Sequence, residues 1–182
     1  MTQPAGLDGS RYRDRMAETE NPESSDISKI VDTGNDRVRS ARITINAPAA
    51  DIFDLIAHPA NHPLFDGSGT VTSSSFGPDR LTLGATFGMS MRIVVPYRMT
   101  NTVMEFDEGR LIAWRHIGGH RWRYELERVT DSSTLVTETF DGTTSRFPPS
   151  LRLMNAYENN TRSILKTLEE LKRLAESAAS NK

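Results

Sequence analysis

The four histidines of this chain fall into two pairs, His58 with His62 and His116 with His120, each spaced by four residues. Asp66 follows His62 at the same interval. On a helix, that spacing would line up two imidazoles and a carboxylate for a metal ion. Pro63, however, steers His62 out of the helical region, and no His-Glu-x-x-His sequence is present. No metal is expected, and His58 and His62 read as loop histidines beside a pocket mouth. The second pair flanks Ile117-Gly118-Gly119. Brought together across a hairpin and joined by Glu138, His116 and His120 would form an acid–base set, because an imidazole near its ordinary pKa moves protons near neutral pH. These three are the catalytic candidates. The plainer alternative is that the histidines supply polarity at a hairpin end.

Other chemistries find no support. The chain has no Cys, which removes disulfides, thiolate nucleophiles and Cys-ligated zinc. Gly67-Ser-Gly69 lacks the lysine of a phosphate loop, and there is no Gly-x-Ser-x-Gly elbow. No cofactor is implied. With 22 Lys+Arg against 24 Asp+Glu the net charge is −2, which argues against a nucleic-acid partner. No run approaches the ~18 apolar residues of a membrane span, and Met1–Ser10 lacks the basic-then-apolar pattern of a signal peptide. A cytoplasmic protein is expected, in which the Asn159-Asn160-Thr161 sequon would go unused.

The elements that must position these residues begin after residue 36. Residues 1–36 are rich in charged and small residues, with apolar positions too sparse to offset the entropy of ordering. They read as a disordered N-terminal tail before a domain over 37–178. Val38–Ile45 reads as a strand, and Ala49–Ala57, after Pro48, as a short amphipathic helix. His58–Asp66 reads as a loop or a second short helix. Strands are expected near Thr70–Phe76, Thr86–Val94, Tyr97–Phe106, Leu111–Ile117, His120–Val129 and Thr134–Phe140. From Ser150, a plausible N-cap, to about Ser177 there is no Gly or Pro, and Met154, Tyr157, Thr161, Ile164, Leu165, Leu168 and Leu171 share one face of a helix. The fold class is α+β: a curved antiparallel sheet of about six to seven strands around a long C-terminal helix, with two short helices after the first strand.

Side-chain chemistry argues the register. A three-residue loop, Ile117–Gly119, pairs His116 with His120, Trp114 with Trp122 and Ile112 with Tyr124, and sorts aromatic from charged side chains. A two-residue loop would mix them. The sorted register sets Arg115 opposite Arg121, which is unfavourable. Continued onto the last strand, it pairs Trp122 with Phe140 and Tyr124 with Glu138, and turns Glu138 inward, where burial would raise its pKa. A shift by one residue would put Glu138 in solvent. For Tyr97–Phe106, Thr100, Thr102, Met104 and Phe106 are narrowly favoured as the inward set over Tyr97, Met99, Asn101 and Val103. The ligand-lining candidates are Trp114, Trp122, Tyr124 and Phe140, roofed by Met154, Tyr157 and Thr161. The alternative is that these aromatics simply fill the core.

Val38–Lys172 resembles the START-like, or SRPBCC, helix-grip superfamily, and within it the polyketide cyclase/dehydrase and lipid-transport family. The stretches that carry this are Ile43-Thr-Ile-Asn-Ala-Pro-Ala-Ala-Asp-Ile-Phe-Asp-Leu-Ile56, Gly109-Arg-Leu-Ile-Ala-Trp114, Trp122-Arg-Tyr-Glu-Leu-Glu127, Leu135-Val-Thr-Glu-Thr139 and Leu165-Lys-Thr-Leu-Glu-Glu-Leu-Lys172. The resemblance implies a cavity between sheet and helix that binds, and in some members carries, a small hydrophobic ligand. A second implication is an aromatic cyclase/dehydratase using His116, His120 or Glu138. A third is a protein-interaction module with a filled core. A homodimer is left open.

Overall fold

A computed structural model describes residues 27–180. Eight strands form one antiparallel sheet in the order β1-β2-β8-β7-β6-β5-β4-β3. In chain order the elements are β1 (Lys29–Val31), β2 (Val38–Ile45), α1 (Ala49–Ala57), a 3-10 turn (Pro59–Asn61), α2 (His62–Phe65), β3 (Val71–Phe76), β4 (Thr86–Arg92), β5 (Pro96–Asp107), β6 (Leu111–His116), β7 (Arg121–Thr130), β8 (Ser133–Asp141), α3 (Pro148–Leu153) and α4 (Ala156–Ser180). Strands β3 to β8 follow one another as a meander, and β2 closes onto β8. The sheet curves around α4, which buries Tyr157, Ile164, Leu168, Leu171 and Ala175 against it. No helix among the described residues is long and apolar enough to cross a membrane.

The sheet has one strand more than expected because β1 lies inside the segment assigned to the tail. Lys29–Val31 pairs with Arg42–Ser40 of β2, and the Ser28 hydroxyl donates to the Leu165 carbonyl at 3.1 Å. A three-residue edge strand is held by backbone pairing and shows no periodicity in sequence. The ordered sheet therefore starts eight residues before the expected boundary at 37. The expectation of disorder for 1–26 falls outside the described residues.

The C-terminal helix also differs. It is divided at Asn155, whose φ of +52° is a left-handed conformation that Asn tolerates better than most residues. Ser150 lies inside α3 rather than capping the long helix, and its hydroxyl donates to the Phe147 carbonyl. Met154, at the break, is 65% exposed; it does not roof the inner face as its place on a continuous helical wheel suggests.

Between sheet and α4 runs the connection from α1 to β3. Gly67 sits so close to α4 that a Cβ there would lie 2.2 Å from the Ser163 carbonyl oxygen, and its N–H donates to Thr167 Oγ1 at 2.9 Å. This contact brings α2 and Asp66 under the helix. The α2 segment is where the sequence reading of His62 fails: its ring is buried in the core, whereas His58 stays at the surface with Asp54. Asp66 accepts the N–H groups of Ser68, Thr70 and Val71. The three residues of the metal-like spacing thus take separate structural roles.

Candidate functional site

The β6–β7 hairpin adopts the three-residue loop. His116 N–H donates to the His120 carbonyl at 3.1 Å, Trp114 faces Trp122 and Ile112 faces Tyr124, and Gly119 takes a φ of +95°, which glycine adopts without strain. On β8, Phe140 pairs with Trp122 and Glu138 with Tyr124. Because side chains alternate along a strand, these pairs stack as layers on the inner face. The outermost of the three joins Phe87, Asn101 and His116 with His120. The next joins Val103, Trp114, Trp122 and Phe140, and the deepest joins Phe106, Ile112, Tyr124 and Glu138.

Strand β5 corrects the inward set favoured from sequence. Asn101 and Val103 are buried inside, so Thr100 and Thr102 face outward. A register shift between Val103 and Glu105 then restores Phe106 to the inner side, where its ring meets Phe53 at 5.5 Å. A β-bulge inserts one residue and flips the alternation, so no single parity describes the whole strand.

The centre of the inner face is filled by rings in contact. Trp114 lies 5.5 Å from Tyr124 and stacks on His62 at 5.2 Å. Phe140 meets Trp122 at 5.2 Å and Tyr157 at 6.0 Å. Solvent reaches the same face toward the β6–β7 loop, where Met99, His116, His120, Trp122 and Thr161 are half-buried. Two surface grooves, of about 510 and 470 Å3, lie elsewhere, one beside Glu108–Arg110 and one along the β4–β5 hairpin. Among the buried polar atoms without a hydrogen-bond partner, three belong to the inner side: Asn101 Oδ1, Glu138 Oε2 and Tyr157 Oη. Such atoms are costly unless something else satisfies them.

Glu138 is 2% exposed, and Tyr124 donates its hydroxyl to Glu138 Oε1 at 2.7 Å. Burial pushes the Glu138 carboxyl well above the usual range; the tyrosine bond opposes this and the negative Asp66 adds to it. The Tyr124 hydroxyl is likewise pushed up, first by burial and then by Glu138. Burial thus biases Glu138 toward its neutral, protonated form. Oε1 accepts from Tyr124, and Oε2 is left without a protein partner. His120 Nε2 lies 3.1 Å from His116 Nδ1. Burial, then His120, lowers His116 to about 3, and burial lowers His120 as well. Both rings are neutral at pH 7, one donating to the other. The structure thus joins the two histidines but gives Glu138 to Tyr124; the three catalytic candidates do not form one set.

Sequence reasoning put His62 in a loop beside the pocket mouth and Asn101 in the less favoured inward set, whereas both are buried. His62 Nε2 donates to the Ile56 carbonyl at 2.8 Å, and burial, partly offset by that bond, lowers its pKa to about 4. The hydrophobic Leu64-Phe65 beside it is the only local hint. Of the expected roof, Tyr157 is buried, Thr161 is half-buried with its hydroxyl donating to the Tyr157 carbonyl, and Met154 lies outside.

Residues 37–176 match the family model described as polyketide cyclase/dehydrase and lipid transport. The chain belongs to this family. Its fold is the START-like helix grip, shared with solved structures of low sequence identity. The protein NE0264 of Nitrosomonas europaea is 13% identical with a TM-score of 0.60, covering 86% of this chain and 98% of that one. The AHSA1-like protein of Aeromonas hydrophila is 16% identical with a TM-score of 0.52, covering 77% and 94%. At these identities the likeness concerns fold alone. In sequence, the uncharacterized protein Rv0088 of Mycobacterium tuberculosis is 42% identical over 113 residues, 62% of this chain and 50% of that protein. The chain therefore spans about half the length of this mycobacterial relative.

Proposed function

We propose that the inner face between sheet and α4 binds, and carries, a small elongated hydrophobic or aromatic molecule with a hydrogen-bond acceptor at its inner end. The observation that carries this reading is Glu138, a buried acid with one oxygen unpartnered in a ring-lined interior. A core needs no such group, since an apolar residue of similar size is usually at least as stabilising as a buried polar one. A neutral carboxyl donates to a carbonyl, ester or ether oxygen, which sets the chemistry of the guest. From the histidine layer to the Glu138 layer is two steps of two residues, about 13 Å, so the guest is elongated. Trp122, half-buried at the edge of the middle layer, is the ring it displaces, and aromatic walls suit a planar or lipid-like body.

An acid–base cyclase/dehydratase role is a second reading. It rests on the His116–His120 contact, a neutral donor–acceptor pair on the same face that lacks a carboxylate to orient it. Binding is the reading favoured here, because the acid that would complete the set is held by Tyr124 instead.

The test compares 2-acetylnaphthalene with 2-ethylnaphthalene, which lacks the carbonyl, by quenching of tryptophan emission. The expected result is saturable binding of both, with the ketone preferred about five- to tenfold. That preference should persist in Glu138→Gln and vanish in Glu138→Leu. Absence of saturable binding of either compound would overturn the reading. Native mass spectrometry of protein from its own host would show what co-purifies.

A further inference from the structure

The β4–β5 hairpin carries a surface that the inner face does not use. At its tip Ile93, Val94 and Val95 are 65%, 85% and 68% exposed. Isolated apolar residues on a surface are ordinary, but three consecutive β-branched side chains standing in water mark a contact site. Ser90 pairs with Arg98 and Arg92 with Pro96 across the two strands, so both arginines stand at the base of the tip on one face. Neither guanidinium has an ion pair or side-chain hydrogen bond among the described residues. Most other arginines of the sheet do: Arg39 is paired with Glu158, Arg121 and Arg123 with Glu105, and Arg128 with Asp131. The groove of about 470 Å3 runs along this face, with Thr72, Ser90, Arg92 and Arg98 among its walls.

The local charge departs from that of the whole. The chain is net negative, yet no Asp or Glu occurs between Asp79 and Glu105. An apolar tip with unpaired cations at its base matches the profile of an anionic bilayer, in which acyl chains lie just beneath a layer of phosphate. An acidic protein would satisfy the arginines but would leave Val94, the outermost residue, without an apolar partner. The observations favour the bilayer.

We propose that the β4–β5 hairpin docks this protein on an anionic lipid surface, with Ile93, Val94 and Val95 among the headgroups and upper acyl chains and with Arg92 and Arg98 on lipid phosphates. The last β5–β6 pair is Asn101 with His116, so β5 continues past the end of β6 toward the tip. The hairpin therefore projects at the same end of the sheet as the half-buried histidine layer, and docking turns that end toward the membrane. The docking itself does not depend on what the interior holds.

The full chain is mixed with vesicles of phosphatidylcholine alone or with phosphatidylglycerol added, and bound protein is separated by flotation. The expected result is partition to the anionic vesicles only, weakened by salt, reduced about fivefold by Arg92→Gln and further by adding Arg98→Gln. Val94→Trp places an indole at an exposed position where the fold tolerates it, and its emission should shift to the blue on anionic vesicles. Equal partition of wild type and the double variant would overturn the proposal, as would no partition at all or an unshifted emission. Binding to soluble poly-glutamate without binding to vesicles would assign the hairpin to an acidic protein and overturn it too.

Discussion

Tyr124 and Glu138 stand directly opposite each other on β7 and β8, joined by a 2.7 Å bond from the phenol to the carboxyl. This pair holds an ionisable acid in the deepest aromatic layer of the inner face. The energetic consequence has a definite sign. A carboxyl whose folded pKa lies above its unfolded value of 4.5 contributes stability below that value and loses the contribution as pH rises toward the folded pKa.

Glu138→Gln removes that loss while keeping a donor and an acceptor. The variant should gain stability relative to wild type as pH rises from about 5 to about 8. Urea denaturation across that range measures it. A constant difference between the two proteins would mean that Glu138 is not held neutral.

His62 acts in the opposite direction. Its pKa of about 4 lies below the ordinary 6.5, so its contribution is full above 6.5 and is lost as pH falls through about 4. The amount is about 3 kcal/mol. His62→Gln keeps an N–H for the Ile56 carbonyl and should flatten the acid limb of the stability curve. An unchanged limb would place the acid sensitivity elsewhere.

The two tryptophans should separate binding from stability. Trp114 is 7% exposed and packed on His62, Phe87 and Tyr124, so Trp114→Ala should cost about 3–5 kcal/mol. Trp122 is half-buried, so Trp122→Ala should cost less stability and weaken the uptake of an apolar dye. Unchanged dye affinity would remove Trp122 from the site.

Gly67→Ala tests the close approach of the α2–β3 connection to α4. The added methyl would meet backbone atoms of Ser163 and Thr167 at 2.2 and 2.4 Å, which a rotamer change cannot relieve. A loss of about 1–3 kcal/mol or more is expected. A neutral result would mean that the connection moves freely away from the helix.

Removing residues 1–36 takes away β1 and the Ser28 bond to α4, whereas removing 1–26 spares both. The longer deletion should melt at lower temperature than the shorter. Equal melting temperatures would mean that β1 adds nothing to the sheet.

The layout from β2 to the C-terminal helix was legible in the residues because the longer elements carry their own period, whereas β1 and the break at Asn155 carry none. The β6–β7 register was legible because only the three-residue loop separates aromatic from charged side chains, whereas the β7–β8 register stayed open between two pairings that differ in the side of Glu138. The apparent cost of the β6–β7 register, Arg115 opposite Arg121, could not be resolved from the two strands alone. Glu105 of neighbouring β5 lies 3.7 Å from Arg121 and 3.3 Å from Arg123, and nothing local to β6 or β7 announces it. The bulge after Val103 was hidden for a similar reason: it inverts the inward side of β5 without any Gly or Pro to mark it.

By itself the sequence determined the family, the sheet-and-helix architecture and the inward placement of Trp114, Trp122, Tyr124 and Phe140, since alternation and hairpin geometry are properties of neighbouring residues; the side of Glu138 stayed open until the packing turned it inward. Tertiary structure alone decided that His62 lies in the core, that Asn155 breaks the helix and turns Met154 out, and that Asn101 rather than Thr100 or Thr102 faces inward. Those outcomes depend on which groups meet across the interior, and a side chain's protonation and partners follow from that packing rather than from its place in the chain.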